Sequence, residues 1–456
     1  MGILTNSRNP ERPDALFQFT NGVDVDRHLA IQEVQVQKAW ARALVGAGVL
    51  TAQERDSVLS ALDAAATDVQ AGRFEWRIQD EDVHMNLERY VTEKAGILGK
   101  KMHVGRSRND LIATTLRLFV RDTLEDVQAG LSQLIQALAT QAEKHLDVII
   151  PGTTHLQNGQ PIRFAHALVG HAMALKRDAA RIQDAGKRAM ESMPLGSAAL
   201  AGTTLNIDLA GIAKELGFQG PTKNSYDSVG DRDFVAESLS ALGLMSAHLS
   251  RLSEDFIIWA STPMGLVKLP KQWSTGSSIM PNKRNPDVAE LTRAKSAHVI
   301  AAATEAQVLL KGMPTSYGSD LHEIKQIYLR AFKEAQAIFS VLPFFVRDFG
   351  VDEIRAKELL EKGHVFATEI ADELALNQGV PFREAYAQVA SLVEAAEEKA
   401  IQVHQLPTEI AQKIAPNLSA AFLKGLTAEA CVEKRTNLGG TAKIQTSAAI
   451  RFLTNP

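Results

Sequence analysis

The sequence predicts an all-α protein, and three observations predict it. Aromatic residues are only 6% of the 456-residue chain while apolar residues reach 45%, so the apolar share comes largely from Ala and Leu. These, with the abundant Glu and Gln, are good helix formers. Five stretches, each of 23 residues or more, run almost free of Gly and Pro, against an average helix of about 11–12 residues. Strand-like alternation of apolar and polar residues is scarce, and no strand–helix–strand rhythm appears.

From the amino terminus, Met1 to Pro13 is polar and carries Arg8 and Arg12 with no following apolar run, so no secretory leader is expected. Residues 28–100 hold shorter helical patterns broken at Gly46, Gly48, Gly72 and Gly96. From Arg106 to Ile150 the only breaker is Gly130, and Pro151 is expected to close the segment. Inside it Leu116, Phe119, Val120, Leu124, Val127, Leu131, Leu134, Ile135 and Leu138 recur at three- and four-residue steps, the signature of one buried helix face. Further long helices are expected over Arg163–Met193, Asp231–Thr262, Asp287–Lys311 and Asp320–Leu342, the last before Pro343. After about residue 360 short helices are separated by Pro381, Pro407 and Pro416. Three regions follow: an N-terminal helical domain over 1–107, a central long-helix bundle over 108–360, and a small C-terminal helical domain over 361–456.

Charge and cysteine content exclude several functions. Lys and Arg number 49 against 53 Asp and Glu, giving −4, so no overall basic field exists to hold nucleic acid or an anionic membrane. Cys431 is the sole cysteine, which rules out an intrachain disulfide and a cysteine-based zinc cage. No run of 18 apolar residues occurs. A cytoplasmic location is expected. No H-E-x-x-H, P-loop, G-x-G-x-x-G or G-x-S-x-G pattern is present, so zinc proteolysis, nucleotide hydrolysis, hydride transfer and serine-hydrolase chemistry lack their usual signals.

Chemistry-bearing residues gather where polar loops meet the long helices. Gly276-Ser277-Ser278-Ile279-Met280-Pro281-Asn282-Lys283-Arg284-Asn285-Pro286-Asp287 opens the fourth helix. Exposed N–H groups and fixed cations at a helix start form an anion site; an ordinary Ser/Pro/Asn linker is the alternative. Gly105-Arg106-Ser107-Arg108-Asn109-Asp110 opens the first, where two arginines suit bidentate carboxylate binding. Capping by Ser107, Asn109 or Asp110 with solvated arginines is the alternative there, and the better one for Asp110. Gly152 to Pro161 contains His155 in a polar turn, a candidate proton carrier or an ordinary hydrogen-bonded histidine. His166 and His171 give no helical metal face with it.

Together these loops resemble the fumarase/aspartase superfamily, whose Gly-Ser-Ser-x-Met-Pro-x-Lys-x-Asn-Pro signature is matched by residues 276–286. Within it the chain is similar to the argininosuccinate lyase family. Asp80–His84, Gly105–Asp110, Thr154–Gln157, Pro194-Leu195-Gly196 with Leu200–Thr204, and Asn224–Asp233 agree in order and spacing from about residue 17 onward. The resemblance implies a homotetramer with a twenty-helix core, active sites shared by three subunits, and reversible elimination of argininosuccinate to arginine and fumarate. It implies no metal and no organic cofactor. By similarity Ser277 is the base for the Cβ proton, His155 the general acid, Glu290 the carboxylate that orients His155, and Lys283 with Asn285 the holders of the substrate carboxylate. Arg108, Asn109 and Thr154 would grip the succinyl part, and Tyr317, His322 and Lys325 the amino-acid part. His84, Ser107, Gln157 and Ser278 take supporting places. The departures are Gly22 for a serine, His322 for a glutamine, Gly318-Ser319, Val104, Leu111, and Asn282 with Arg284. They leave the elimination residues intact and fall mostly where the arginine end is read, which keeps a different N-substituted aspartate as the alternative substrate.

Overall fold

In a computed structural model, residues 13–455 are described; the terminal stretch through Arg12, read above as carrying no leader, lies outside them. Five long helices carry the middle of the chain: α1 (Arg108–Lys144), α2 (Phe164–Ala189), α3 (Asp233–Ala260), α4 (Asp287–Leu310) and α5 (Glu323–Phe339). All five fall within the stretches expected from the sequence. The chain divides into two compact units. The first comprises residues up to Ala129, Asp178–Ala247 and Lys295–Ala337; the second comprises Gly130–Arg177, His248–Ala294 and Ile338 onward.

In the first unit, helices Ala30–Gly46, Ala52–Gln70 and Val83–Ala95 pack around Trp40, Leu44, Leu62 and Leu87. Thr51 and Glu54 form a capping box at the start of the second of these helices, which satisfies two otherwise orphaned donors. The apolar stripe of α1 buries Leu111, Leu118, Phe119, Val120 and Leu124. Opposite it on α5, the fully buried Tyr328 hydrogen-bonds Thr123 at 2.9 Å, so its hydroxyl is sealed but partnered.

The second unit holds the aromatic cluster. Phe164 meets Trp259 at 5.1 Å between ring centroids, and Phe256 meets Phe345 at 5.3 Å and Phe349 at 5.1 Å, distances at which edge-to-face pairs add to burial. A Cβ at Gly130 would lie 2.6 Å from the ring of Phe339, so the one breaker inside α1 is there for close packing. The carboxyl-terminal helices Phe382–Glu397 and Thr408–Ile414 start directly after Pro381 and Pro407, as their spacing predicted.

Among the described residues, the strands form three two-stranded antiparallel ladders: β1 (Ile149–Thr154) with β2 (Gln157–Arg163), β3 (Val267–Lys268) with β6 (Gly350–Val351), and β4 (Thr275–Gly276) with β5 (Arg284–Asn285). The first corrects the expectation for Pro151. The helix has already ended at Lys144, and Pro151 sits inside β1 opposite Pro161. The β-branched Ile149 and Ile150 favour the extended backbone, and Ile150 pairs with Ile162.

Candidate active site

The residues singled out from the sequence fall into two sets, one in each unit. In the first unit, α1 opens on a capping network. Asp110, fully buried, accepts from the Ser107 N–H at 3.0 Å through one oxygen, and from Gly196 N–H at 3.0 Å and Ala198 N–H at 2.8 Å through the other. It is therefore a cap and also the anchor of the 194–204 loop. Burial pushes its carboxyl up to about 6 despite those donors. The Asn109 amide donates to Ala199 O at 3.2 Å.

Neither arginine beside it is merely solvated. Arg106 is buried. Arg108 Nη1 donates to Asp82 Oδ2 at 2.9 Å and Glu81 Oε2 at 3.3 Å, with its side chain 35% exposed. Asp82 also caps helix Val83–Ala95, accepting from Met85 N–H at 2.9 Å. Burial opposes ionisation of Asp82, but the charges of His84 and Arg108 outweigh it and hold the carboxyl below its ordinary value. Glu81 adopts φ 64° and its carbonyl accepts from Gly22 N–H at 3.0 Å.

Lys325 and Asp26 form a buried ion pair, 3% and 1% exposed. Asp26 Oδ2 has no hydrogen-bond partner among the described residues, and a Cβ at Gly22 would lie 3.2 Å from it. The departure at Gly22 thus bears directly on this carboxylate. The Tyr317 hydroxyl lies 2.6 Å from His322 Nε2. Burial, with Lys325 beside it, holds His322 below its ordinary value, so the ring is neutral near pH 7 and its tautomer sets which of the two groups donates. Ser316, just before Tyr317, has φ 76°; a Cβ at Gly230 would come within 2.3 Å of its carbonyl oxygen. Only glycine at 230 lets that loop seat so low.

In the second unit, His155 and Leu156 form the tip of the β1–β2 hairpin, at φ 55° and 59°, the backbone of a tight two-residue turn. Thr154 pairs with Gln157 across the turn. His155 is exposed. Among the described residues no ion pair joins it to Glu290, which is exposed in the first turn of α4.

The signature loop is closed at its base by β4 and β5, where Thr275 pairs with Asn285 and Gly276 with Arg284. Asp287 Oδ2 accepts from the Thr275 N–H at 2.8 Å and hydroxyl at 2.7 Å, and the Asn285 amide donates to the Thr275 hydroxyl at 3.3 Å. Ser277 Oγ accepts from Met280 N–H at 3.1 Å and Ile279 N–H at 3.3 Å. Two donors on one hydroxyl oxygen favour its ionised form. Ser278 and Lys283 are exposed beside it.

Sequence reasoning missed Glu33, Asp26 and Asp287, and gave Asp82 no part in fixing Arg108. For Asp82 and Asp287 the helix-start pattern was a usable signal; Glu33 and Asp26 have none that is local.

Comparison with known proteins places the chain in a family. Residues 8–301 match the Lyase family and residues 364–433 the Argininosuccinate lyase C-terminal family. Argininosuccinate lyases from two strains of Nitratidesulfovibrio vulgaris are each 41% identical over 436 residues, covering 96% of this chain and 94% of theirs. Among solved structures, an EDDS lyase variant with bound fumarate superposes with TM-score 0.81 at 25% identity, covering 94% of this chain and 86% of that one. A class II fumarase from Schistosoma mansoni gives 0.74 at 18% identity, covering 87% and 89%, a likeness of fold. The chain belongs to the argininosuccinate lyase family of the fumarase/aspartase superfamily.

Proposed function

We infer that this chain is a carbon–nitrogen lyase that reversibly splits argininosuccinate into arginine and fumarate. The observation that carries the mechanism is Ser277 Oγ held by two backbone donors inside the signature loop. An alkoxide there takes the Cβ proton. The electrons left on carbon delocalise into the adjacent carboxylate, whose extra charge Lys283 and Asn285 stabilise. The Cα–N bond then breaks, its electron pair staying on the guanidino nitrogen, which takes a proton from His155. Glu290 orients His155. Arg108, Asn109 and Thr154 grip the succinyl carboxylates, and Tyr317, His322 and Lys325 the amino-acid end. Ser107, Gln157, Ser278 and His84 support them.

A homotetramer completes each site. Its support is the exposure of Leu244, Leu291, Ile300 and Val308 on the long helices, apolar side chains of a kind suited to helix–helix contact with further copies, and the division of the candidate residues into two sets. No described helix is long and apolar enough to cross a membrane, and the site is one for a small molecule.

The direct test is fumarate release from argininosuccinate by the purified protein. Ser277→Ala is expected to lower kcat by roughly a thousandfold or more; turnover near wild type would overturn the base assignment. The open Asp26 oxygen beside Gly22 favours one second reading, a different amine on the succinyl group. Turnover of another N-substituted aspartate with none of argininosuccinate would establish it.

A further inference from the structure

Glu33 is fully buried, yet no step of the elimination uses it. An unpaired carboxylate in such a place is costly, and this one is surrounded by partners from three elements. Its Oε1 lies 2.6 Å from His84 Nδ1 and accepts from Gln37 Nε2 at 2.8 Å. Its Oε2 accepts from the Thr115 hydroxyl at 2.5 Å. Gln37 in turn accepts from Arg106 Nη2 at 3.4 Å.

These partners are not scattered. His84 is the second residue of the helix capped by Asp82. Thr115 lies two turns along α1 from Arg108, and Arg106 immediately precedes that helix. One carboxylate therefore ties together the two helix starts whose end residues, Asp82 and Arg108, form the ion pair at 2.9 Å.

We propose that Glu33 is a positioning residue: through His84, Gln37 and Thr115 it fixes the Asp82 and Arg108 helix starts against each other and so aims the Arg108 guanidinium at the substrate carboxylate. The proposal rests on the substrate role given to Arg108 above. The groups facing the pair are consistent with two full charges. Burial opposes ionisation of both, but the carboxylates of Glu33, Asp82 and Asp26 hold His84 above its ordinary value. His84, Thr115 and Arg106 likewise hold Glu33 below its own.

The experiment is steady-state kinetics on Glu33→Gln in the full-length enzyme. KM for argininosuccinate is expected to rise about tenfold with kcat within about threefold of wild type, as a misaimed binding group requires. The double variant Glu33→Gln/His84→Gln, which restores a neutral pair, is expected to recover part of the loss. The wild-type KM rises as pH climbs through the His84 titration, and in Glu33→Gln that rise moves to lower pH. An unchanged KM in Glu33→Gln, with or without a lower Tm, overturns the proposal. Should that variant not fold, Thr115→Val removes one arm alone; a KM rise of about threefold is expected, and no rise overturns the proposal. Arg108→Ala separates the two readings. If it leaves KM unchanged, the substrate role of Arg108 fails; if it raises KM while Glu33→Gln does not, the clamp alone fails.

Discussion

Asp110 shows how one buried carboxylate can give the site a pH limit. Folding raises its pKa to about 6 from an ordinary 3.8, so the folded state favours the proton. Its contribution to stability is complete below the ordinary value and is lost as pH rises through about 6. Function runs the other way, because the ionised form is the better acceptor for Gly196 and Ala198. We expect KM to rise as pH falls through about 6, and Asp110→Asn to flatten that limb; a pH profile of kcat/KM for both proteins checks it. Gly22→Ser would bring a side chain within 3.2 Å of the open Asp26 oxygen and is expected to change the preference among amine leaving groups, read as the ratio of kcat/KM values. At this scale the sequence revealed which residue types carry chemistry, because serine, lysine and asparagine crowd into one loop. It did not reveal their partners. Asp82 lies 26 residues from Arg108, and Asp26 lies 299 from Lys325; a single charge paired over such a separation leaves no local pattern.

Elements set how accurately those residues are aimed. Gly230 allows the backbone at Ser316 to come close, and Tyr317 follows directly. Gly230→Ala is expected to lift that loop, part Tyr317 from His322, and raise KM by about three- to tenfold with a smaller change in kcat. Gly130→Ala, which drives a methyl into Phe339, is instead expected to cost about 1–3 kcal/mol of stability, measured by thermal unfolding, with KM unchanged. The long helices were legible because a buried face repeats every three to four residues over many turns. The hairpin was not. Its outer residues are polar on both faces, and its turn is His155-Leu156 without the Asn-Gly or Asp-Gly chemistry that announces such turns.

At the scale of the whole molecule, the resemblance implies that each site draws on three subunits. Mixing Ser277→Ala chains with Arg108→Ala chains is then expected to give hybrid tetramers more active than either variant alone. Hybrids no more active than either would confine the site to one chain. The two compact units have a separate consequence, for biosynthesis. The first unit takes its last segment from Lys295–Ala337, and the second from Ile338 onward. Neither can close while the first 294 residues alone have left the ribosome. At about 5–20 residues per second the nascent chain spends many seconds with the apolar faces of α1, α2 and α3 uncovered. Its soluble yield in a cell is therefore expected to fall when chaperone capacity is limiting, before any question of assembly or catalysis arises.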